Sequence, residues 1–261
     1  EIINHGGTGT WDSRFTGPGA VIYHDGQFHM FRNGYVNWPR PSQVGYAVSD
    51  DGLNWVEVQE EPVFRHESVP FDVDLAFLTS AIVEDDGSWS FYFTLFPDPA
   101  SNPPTGIVRA TAPDPLSEWH MSEEIALARG GAGEWDSDFI AIGDVIKTED
   151  GYALYYAATD GRDYAIGLAT STDGINWTKY DDPGTTAAPY AESDPVLVHP
   201  GEPDSWQVLI QDPRVVQTEH GLVMLYSSFD GFGNNQGYGM VTSADGINWQ
   251  PIAGDPVLAR Q

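Results

Sequence analysis

The heptapeptide SDDGLNW at Ser49–Trp55 returns as STDGINW at Ser171–Trp177 and as SADGINW at Ser243–Trp249. Between the first two, APDPLSEW (112–119) ends on the matching Trp119. A fixed period constrains a fold more than any other sequence feature, because each unit must bury its apolar face against a neighbour. Asp-Gly suits a tight turn between antiparallel strands: glycine takes positive φ, and the serine and aspartate side chains satisfy turn amides. In 112–119 proline replaces the glycine and the turn lengthens. A turn survives that change where a ligand site would not, so the motif reads as a structural tile.

Ahead of each tryptophan lies the same succession of runs. An apolar run ends in an acidic-Gly turn: AVIYHDG (20–26), AIVEDDG (81–87), DVIKTEDG (144–151) and VVQTEHG (215–221). An alternating strand follows, then a variable loop, then a third strand: VGYAVS, GIVRATA, AIGLATS and GYGMVTS. After the tile comes a short run ending in PVF, IAL, PVL or PVL. β-branched and aromatic residues fill the strands, Gly, Asp and Asn mark the turns, and no stretch has a helical period. The predicted fold is all-β, a β-propeller of four-stranded blades. One domain, 1–261, holds units at about 6–64, 65–128, 129–198 and 199–261. The opening EIINHGGTGTWDS (1–13) matches IALARGGAGEWDS (125–137), so the chain is expected to begin on the last strand of a unit. That leaves a four-bladed closure, or a fifth blade that is degenerate, missing or external.

With 39 acidic residues against 11 basic, of which only Lys147 and Lys179 are lysines, the surface repels phosphates and nucleic acid is not an expected partner. A lysine-poor, Asp-rich surface suits a salty medium. Cysteine is absent, which excludes disulfides, thiolate catalysis and Cys-based metal sites. No apolar run approaches the length of a helical membrane span, so no membrane partner is expected. The first residues carry no basic n-region or apolar h-region, and a secreted protein without its signal peptide is expected.

Connectivity sorts the two ends of each blade. With strands numbered outward, the acidic-Gly turns and the tiles share one end. The second-to-third-strand loops and the crossings between blades share the other. The first end is short and regular; the second is long, irregular and aromatic, and function is expected there.

The unit as a whole resembles the five-bladed propeller glycosidases of the arabinanase, levansucrase and invertase type, including glycoside hydrolase families 43, 32 and 130. GPGAVIYHDGQFHMF (17–31) resembles the opening of invertase-type enzymes, and QDPRVV (211–216) resembles the Asp-Pro-x-Val that starts an inner strand in these families. The resemblance implies a carbohydrate substrate, no required cofactor, and a funnel of carboxylates: a base or nucleophile, a general acid and an orienting third. Glycoside cleavage needs one ionised and one protonated carboxyl roughly 5–10 Å apart.

In the inner strands Asp212 falls opposite Gly17, Leu78 and Ile142, so the family's acidic set is not matched residue by residue. Replacement acids lie on the crossings WDSRF (11–15), FDVDL (71–75) and WDSDF (135–139). These give Asp12, Asp72 and Asp136 at one position and Arg14, Asp74 and Asp138 at another. The varied second set, with Asp212, supplies the catalytic candidates Asp74, Asp138 and Asp212. Substrate-binding candidates are Asp12, Asp136, Arg214, Tyr35, Trp38, Arg162, His66 and His199. Phe96, Asp98, Asp160, Phe232, Asn234 and Asn235 also line the variable loops, and Asp144 could face the axis. Aromatic faces stack on sugar rings while carboxylates and amides take hydroxyls. Asp-rich loops are compatible with Ca²⁺, though none has EF-hand spacing, and no zinc motif is present. The expected function is glycosidic-bond cleavage by carboxylate acid/base chemistry, with a non-catalytic carbohydrate- or protein-binding propeller as the alternative.

Overall fold

The structure is a computed structural model and describes residues 3–37, 42–96, 105–199, 206–230, 233–252 and 256–259. It divides into two compact units, Glu1–Ala126 and Leu127–Gln261, each carrying two antiparallel four-stranded blades. Blade 1 runs β1 (Phe15–His24), β2 (Gln27–Tyr35), β3 (Gln43–Ser49) and β4 (Val56–Glu57). Blade 2 runs β5 (Leu75–Val83), β6 (Trp89–Phe96), β7 (Gly106–Ala112) and β8 (His120–Met121). The second unit opens on the short β9 (Leu127–Ala128). Blade 3 follows with β10 (Phe139–Thr148), β11 (Gly151–Thr159), β12 (Tyr164–Ser171), β13 (Thr178–Lys179) and β14 (Pro195–Val198). Blade 4 has β15 (Leu209–Thr218), β16 (Gly221–Phe229), β17 (Asn235–Ser243), β18 (Gln250–Pro251) and β19 (Leu258–Ala259). Among the described residues the one helical element is a 3₁₀ turn at His66–Ser68. The chain is all-β, and its blades are those of a β-propeller, as the repeat predicts.

The tile closes on itself. Ser49 Oγ accepts the N–H groups of Asp51 (3.3 Å) and Gly52 (2.9 Å), and Asp51 Oδ1 accepts those of Leu53 and Asn54. The Asn54 amide donates to Asp51 Oδ2 at 2.7 Å, and the Trp55 indole donates to Gly52 O. Donation from the asparagine three residues on, by backbone and side-chain N–H, holds Asp51, Asp173 and Asp245 well below the usual carboxylate range. In 112–119 Asp114 does the same work, capping Leu116 and Ser117. In the tiles at 49–55 and 243–249 the recurring serine, aspartate, asparagine and tryptophan all bond within the turn.

The fourth strand is split rather than continuous. In blade 1, β4 pairs one half of β3, and after a loop Val63 and Phe64 bond Val44 on the other half. Blade 3 repeats this with β13 and β14 on β12, and blade 4 with β18 and β19 on β17. Prolines 62 and 195 stand where the second piece begins; lacking an N–H, they suit an interrupted edge. The expected opening strand falls mainly on residues 1–2, outside the described residues; described residues 3–14 are loop and turn.

Each unit's core lies between its two blades. In the first, Phe31, Trp89, Phe91, Phe93 and Trp119 pack together, with Phe91 and Trp119 stacked at 3.5 Å between ring centroids. Fully burying each such ring contributes about 1.5–3 kcal/mol. In the second, Tyr155, Met224, Val215 and Trp249 do so. Each inner strand carries a β-bulge, between Pro18/Ala20, Leu78/Ser80, Ile140/Gly143 and Gln211/Arg214. A bulge leaves ladder groups open. Asn33, fully buried on β2, meets this need in blade 2 by bonding both the N–H and the C=O of Leu78, each at 2.9 Å. In the second unit Asp144 on β10 accepts the Val215 N–H at 2.8 Å. The side of β15–β19 away from the core leaves Val216, Leu225, Tyr238 and Leu258 exposed on one apolar face.

Candidate functional site

At the loop end of each blade the crossing must first be anchored. In blade 1 Asp12 is 2% exposed. It takes Arg32 Nη1 at 2.6 Å on Oδ2 and Thr10 Oγ1 at 2.8 Å on Oδ1. Arg32 also reaches Glu57 on β4, and the Trp11 ring lies over its guanidinium. Gly6 presses against the Asp12 carboxylate and leaves no room for a Cβ. Blade 3 repeats the device with other charges. Asp136, fully buried, takes Lys179 Nζ at 2.5 Å, Gly130 abuts its carboxylate, and Trp135 stacks on Tyr156. The indoles of Trp11 and Trp135 donate to Glu60 O and Ser193 Oγ, in the loops that split the fourth strands. Blade 4 has a version the sequence alignment misses: Trp206 stacks on Tyr226, and Gln207 donates to the Tyr226 hydroxyl. Asp12 and Asp136, expected at the substrate, are therefore clamps within their blades. In blade 2 Phe71 replaces the tryptophan and packs on the core, which leaves Asp72 exposed.

Burial pushes the Asp12 carboxyl up, but the hydrogen bonds from Arg32 and Thr10 and the guanidinium charge outweigh it, so its pKa is lowered. A lowered folded pKa gives stability that is complete above the unfolded value, about 4, and is lost as pH falls through the folded one. The stability difference between wild type and Asp12→Asn should therefore shrink between neutrality and about pH 3, read by urea unfolding across that range. A constant difference would assign the effect to packing.

The second crossing position behaves differently. Arg14, Asp74 and Asp138 each donate a backbone N–H to the last residue of the second strand: Tyr35 O (3.4 Å), Phe96 O (3.1 Å) and Thr159 O (2.9 Å). This places all three beside the variable loop of their blade. Asp74 is half-buried; Arg14 and Asp138 are exposed. Asp138 faces Gly161, whose lack of a side chain leaves the carboxylate clear. Burial, then the Asp138 charge, raise the Tyr164 hydroxyl. Asp163 lies 3.7 Å from His199 at the end of β14, and Asp160 caps the loop through the N–H groups of Arg162 and Asp163. Asp138, Arg162 and His199 thus share the loop end of blade 3, with the Arg162 side chain in solvent.

Asp212 sits on the bulge of β15 with φ +53°, one of two described non-glycine residues at positive φ; the other, Asp25, is in a turn. Buried Ser227 donates to Asp212 Oδ2 at 2.6 Å. Strained backbone of this kind clusters at functional sites. Arg214 lies 3.8 Å from Asp144, and Asp144 ties β10 to β15. The ladder also corrects the strand alignment. Gly17 pairs with Asn33 as Gln211 pairs with Ser227, so Pro18, not Gly17, holds the place of Asp212.

Tyr35 is 7% exposed beneath Phe15, which stacks on it and which the crossing motif WDSRF did not single out. His66 is half-buried at the start of the 3₁₀ turn. Asn234 folds back on Asp230. Trp38, Asp98 and Phe232 lie outside the described residues. Among the described residues no group of three or more His, Asp or Glu is placed to hold a metal ion.

No protein-family profile matches the chain, and no curated protein sequence matches it. Solved structures do. A family 117 glycoside hydrolase from the marine bacterium Zobellia galactanivorans is 19% identical, with a TM-score of 0.67 over 90% of this chain and 67% of that one. The chain has the β-propeller fold of that protein. A family 130 structure, from a family of mannoside phosphorylases containing hydrolases that target β-1,2 mannosidic linkages in Candida mannan, is also 19% identical. Its TM-score is 0.67 over 96% of this chain and 73% of that one. Sucrose-6-phosphate hydrolase from Lactobacillus gasseri is 16% identical, with a TM-score of 0.65 over 91% of this chain; this chain spans 47% of it.

Proposed function

We propose that the chain is a secreted glycoside hydrolase that cleaves glycosidic bonds of a polysaccharide or its oligosaccharides. Asp212 carries the reading: an acid at positive φ on an inner-strand bulge, held by Ser227. Asp212 is unpaired in the ladder, and the bulge re-aims its side chain out of the alternation of β15. Asp138 stands at the same end of the adjacent strand β10, with its carboxylate in solvent. Asp74 holds the matching ladder position in blade 2.

The chemistry needs one carboxylate that stays ionised, as base or nucleophile, and one carboxyl that gives its proton to the leaving oxygen. Asp212, fixed by Ser227 and by its backbone, suits the ionised role. Asp138 and Asp74, on the crossings, are the candidates for the proton-donating and orienting roles. The surface, with 39 acidic groups, favours neutral glycans over uronate or sulfate chains.

The test is incubation with arabino-, xylo-, manno- and fructo-oligosaccharides followed by product analysis. Release of shorter sugars from at least one, lost in Asp138→Asn, is the expected result. Tight binding without product over days would instead favour the carbohydrate-binding reading.

A further inference from the structure

Phe15 opens β1 at the loop end of blade 1 and is 37% exposed. Its ring is nevertheless fixed. One face stacks on Tyr35, with centroids 4.4 Å apart and planes 11° from parallel, and Tyr35 is itself buried. One edge lies over Gly17, where a Cβ would fall 2.6 Å from Phe15 Cε1 and 2.7 Å from Cζ. Any side chain at position 17 would lift the ring from its seat. The ladder adds a third restraint, because Phe15 and Tyr35 are directly paired across β1 and β2. With Tyr35 on one face and Gly17 under one edge, the exposed area belongs to the opposite face and the far edge.

An isolated exposed phenylalanine needs no explanation. A phenyl ring held in one plane by a buried tyrosine and a glycine, beside the variable loop, is different, because its ordering is complete before any ligand arrives. A single ring offers too little area for a protein partner, which needs a contiguous apolar patch of several hundred Å². It matches the apolar face of one sugar ring, whose C–H groups stack on an aromatic plane while hydroxyls point outward. Arg14, the preceding residue, is also exposed at the loop end of the blade.

We propose that the outer face of Phe15 is a stacking platform for one neutral pyranose or furanose unit, with Gly17 as its seat and Tyr35 as its backing. The proposal rests on the glycan-cleaving reading and assigns it a binding position. It also gives Gly17 a role of its own: the residue is small because a ring lies on it.

The test uses calorimetry with xylohexaose, mannohexaose and arabinohexaose, together with NMR of the ring-labelled phenylalanines. The expected result is that the Phe15 resonances move on titration with the best binder. Phe15→Ala should weaken its binding about tenfold, while Phe15→Trp retains it. Gly17→Ala should weaken it as well, with the fold intact by circular dichroism. Should Phe15→Ala bind and turn over the sugar as wild type does, the platform is wrong and the glycan reading stands. Should wild type bind none of the three and cleave nothing in the wider oligosaccharide panel, the glycan reading fails and the platform with it.

Discussion

Asp212→Asn is expected to lower sugar release roughly 10²- to 10⁴-fold, the usual contribution of a positioned acid or base. Thermal unfolding should stay nearly unchanged, and the reason is local. Asparagine is isosteric, can accept the same bond from Ser227, and tolerates the left-handed conformation that Asp212 adopts at φ +53°. The substitution therefore removes the charge and little else. Asp212→Ala would be a poorer test, since alanine is strained at that φ and a loss of activity could come from a rearranged bulge. Initial rates on the sugar identified in the panel, compared with the unfolding midpoint, separate the two. Full activity in Asp212→Asn would remove Asp212 from the chemistry.

Lys179→Met carries the largest expected effect on stability. Asp136 is fully buried, and Lys179 Nζ is its ion-pair partner at 2.5 Å. Methionine keeps the aliphatic stem and leaves a buried carboxylate without its cation. Breaking one side of such a pair costs about 3–5 kcal/mol. For a chain of this size that corresponds to roughly 10 °C in the midpoint. The double variant Asp136→Asn/Lys179→Met should recover much of the loss, because a neutral pair avoids the stranded charge. Calorimetric unfolding of the three proteins is the measurement. A single variant that melts with wild type would mean that water reaches Asp136.

The tile, the strand order and the two ends of each blade were legible because they depend on short-range chemistry. Ser-x-Asp-Gly-x-Asn-Trp spends its side chains on its own backbone, so the letters suffice to read it. The split fourth strand was not legible, since two-residue pieces such as β4 and β13 have no period to detect. The Asp-Pro of 212–213 and the Gly-Pro of 17–18 invited an alignment by dipeptide. Bulges shift ladders by one residue, and only the pairing of Gly17 with Asn33 reveals the offset. The clamps were half legible. GGxGxWDS recurs visibly, but what its aspartate meets differs from blade to blade: Arg32 in one and Lys179 in another. In blade 4 the aspartate becomes Gln207, with one residue fewer before the strand. Phe15 escaped notice because a phenylalanine opening a strand looks like core; its exposure is a property of the fold.

The exposed face of blade 4 bears on how the protein behaves among its own copies. Val216, Leu225, Tyr238 and Leu258 form a surface on which two molecules would gain by meeting. At neutral pH the formal net charge of −28 opposes any such meeting by repulsion between copies. Salt weakens the barrier by shortening its range, and acid removes it near the isoelectric point of about 4.1. Colloidal stability is thus set by the same carboxylates that dominate the composition, most of which have no part in the chemistry.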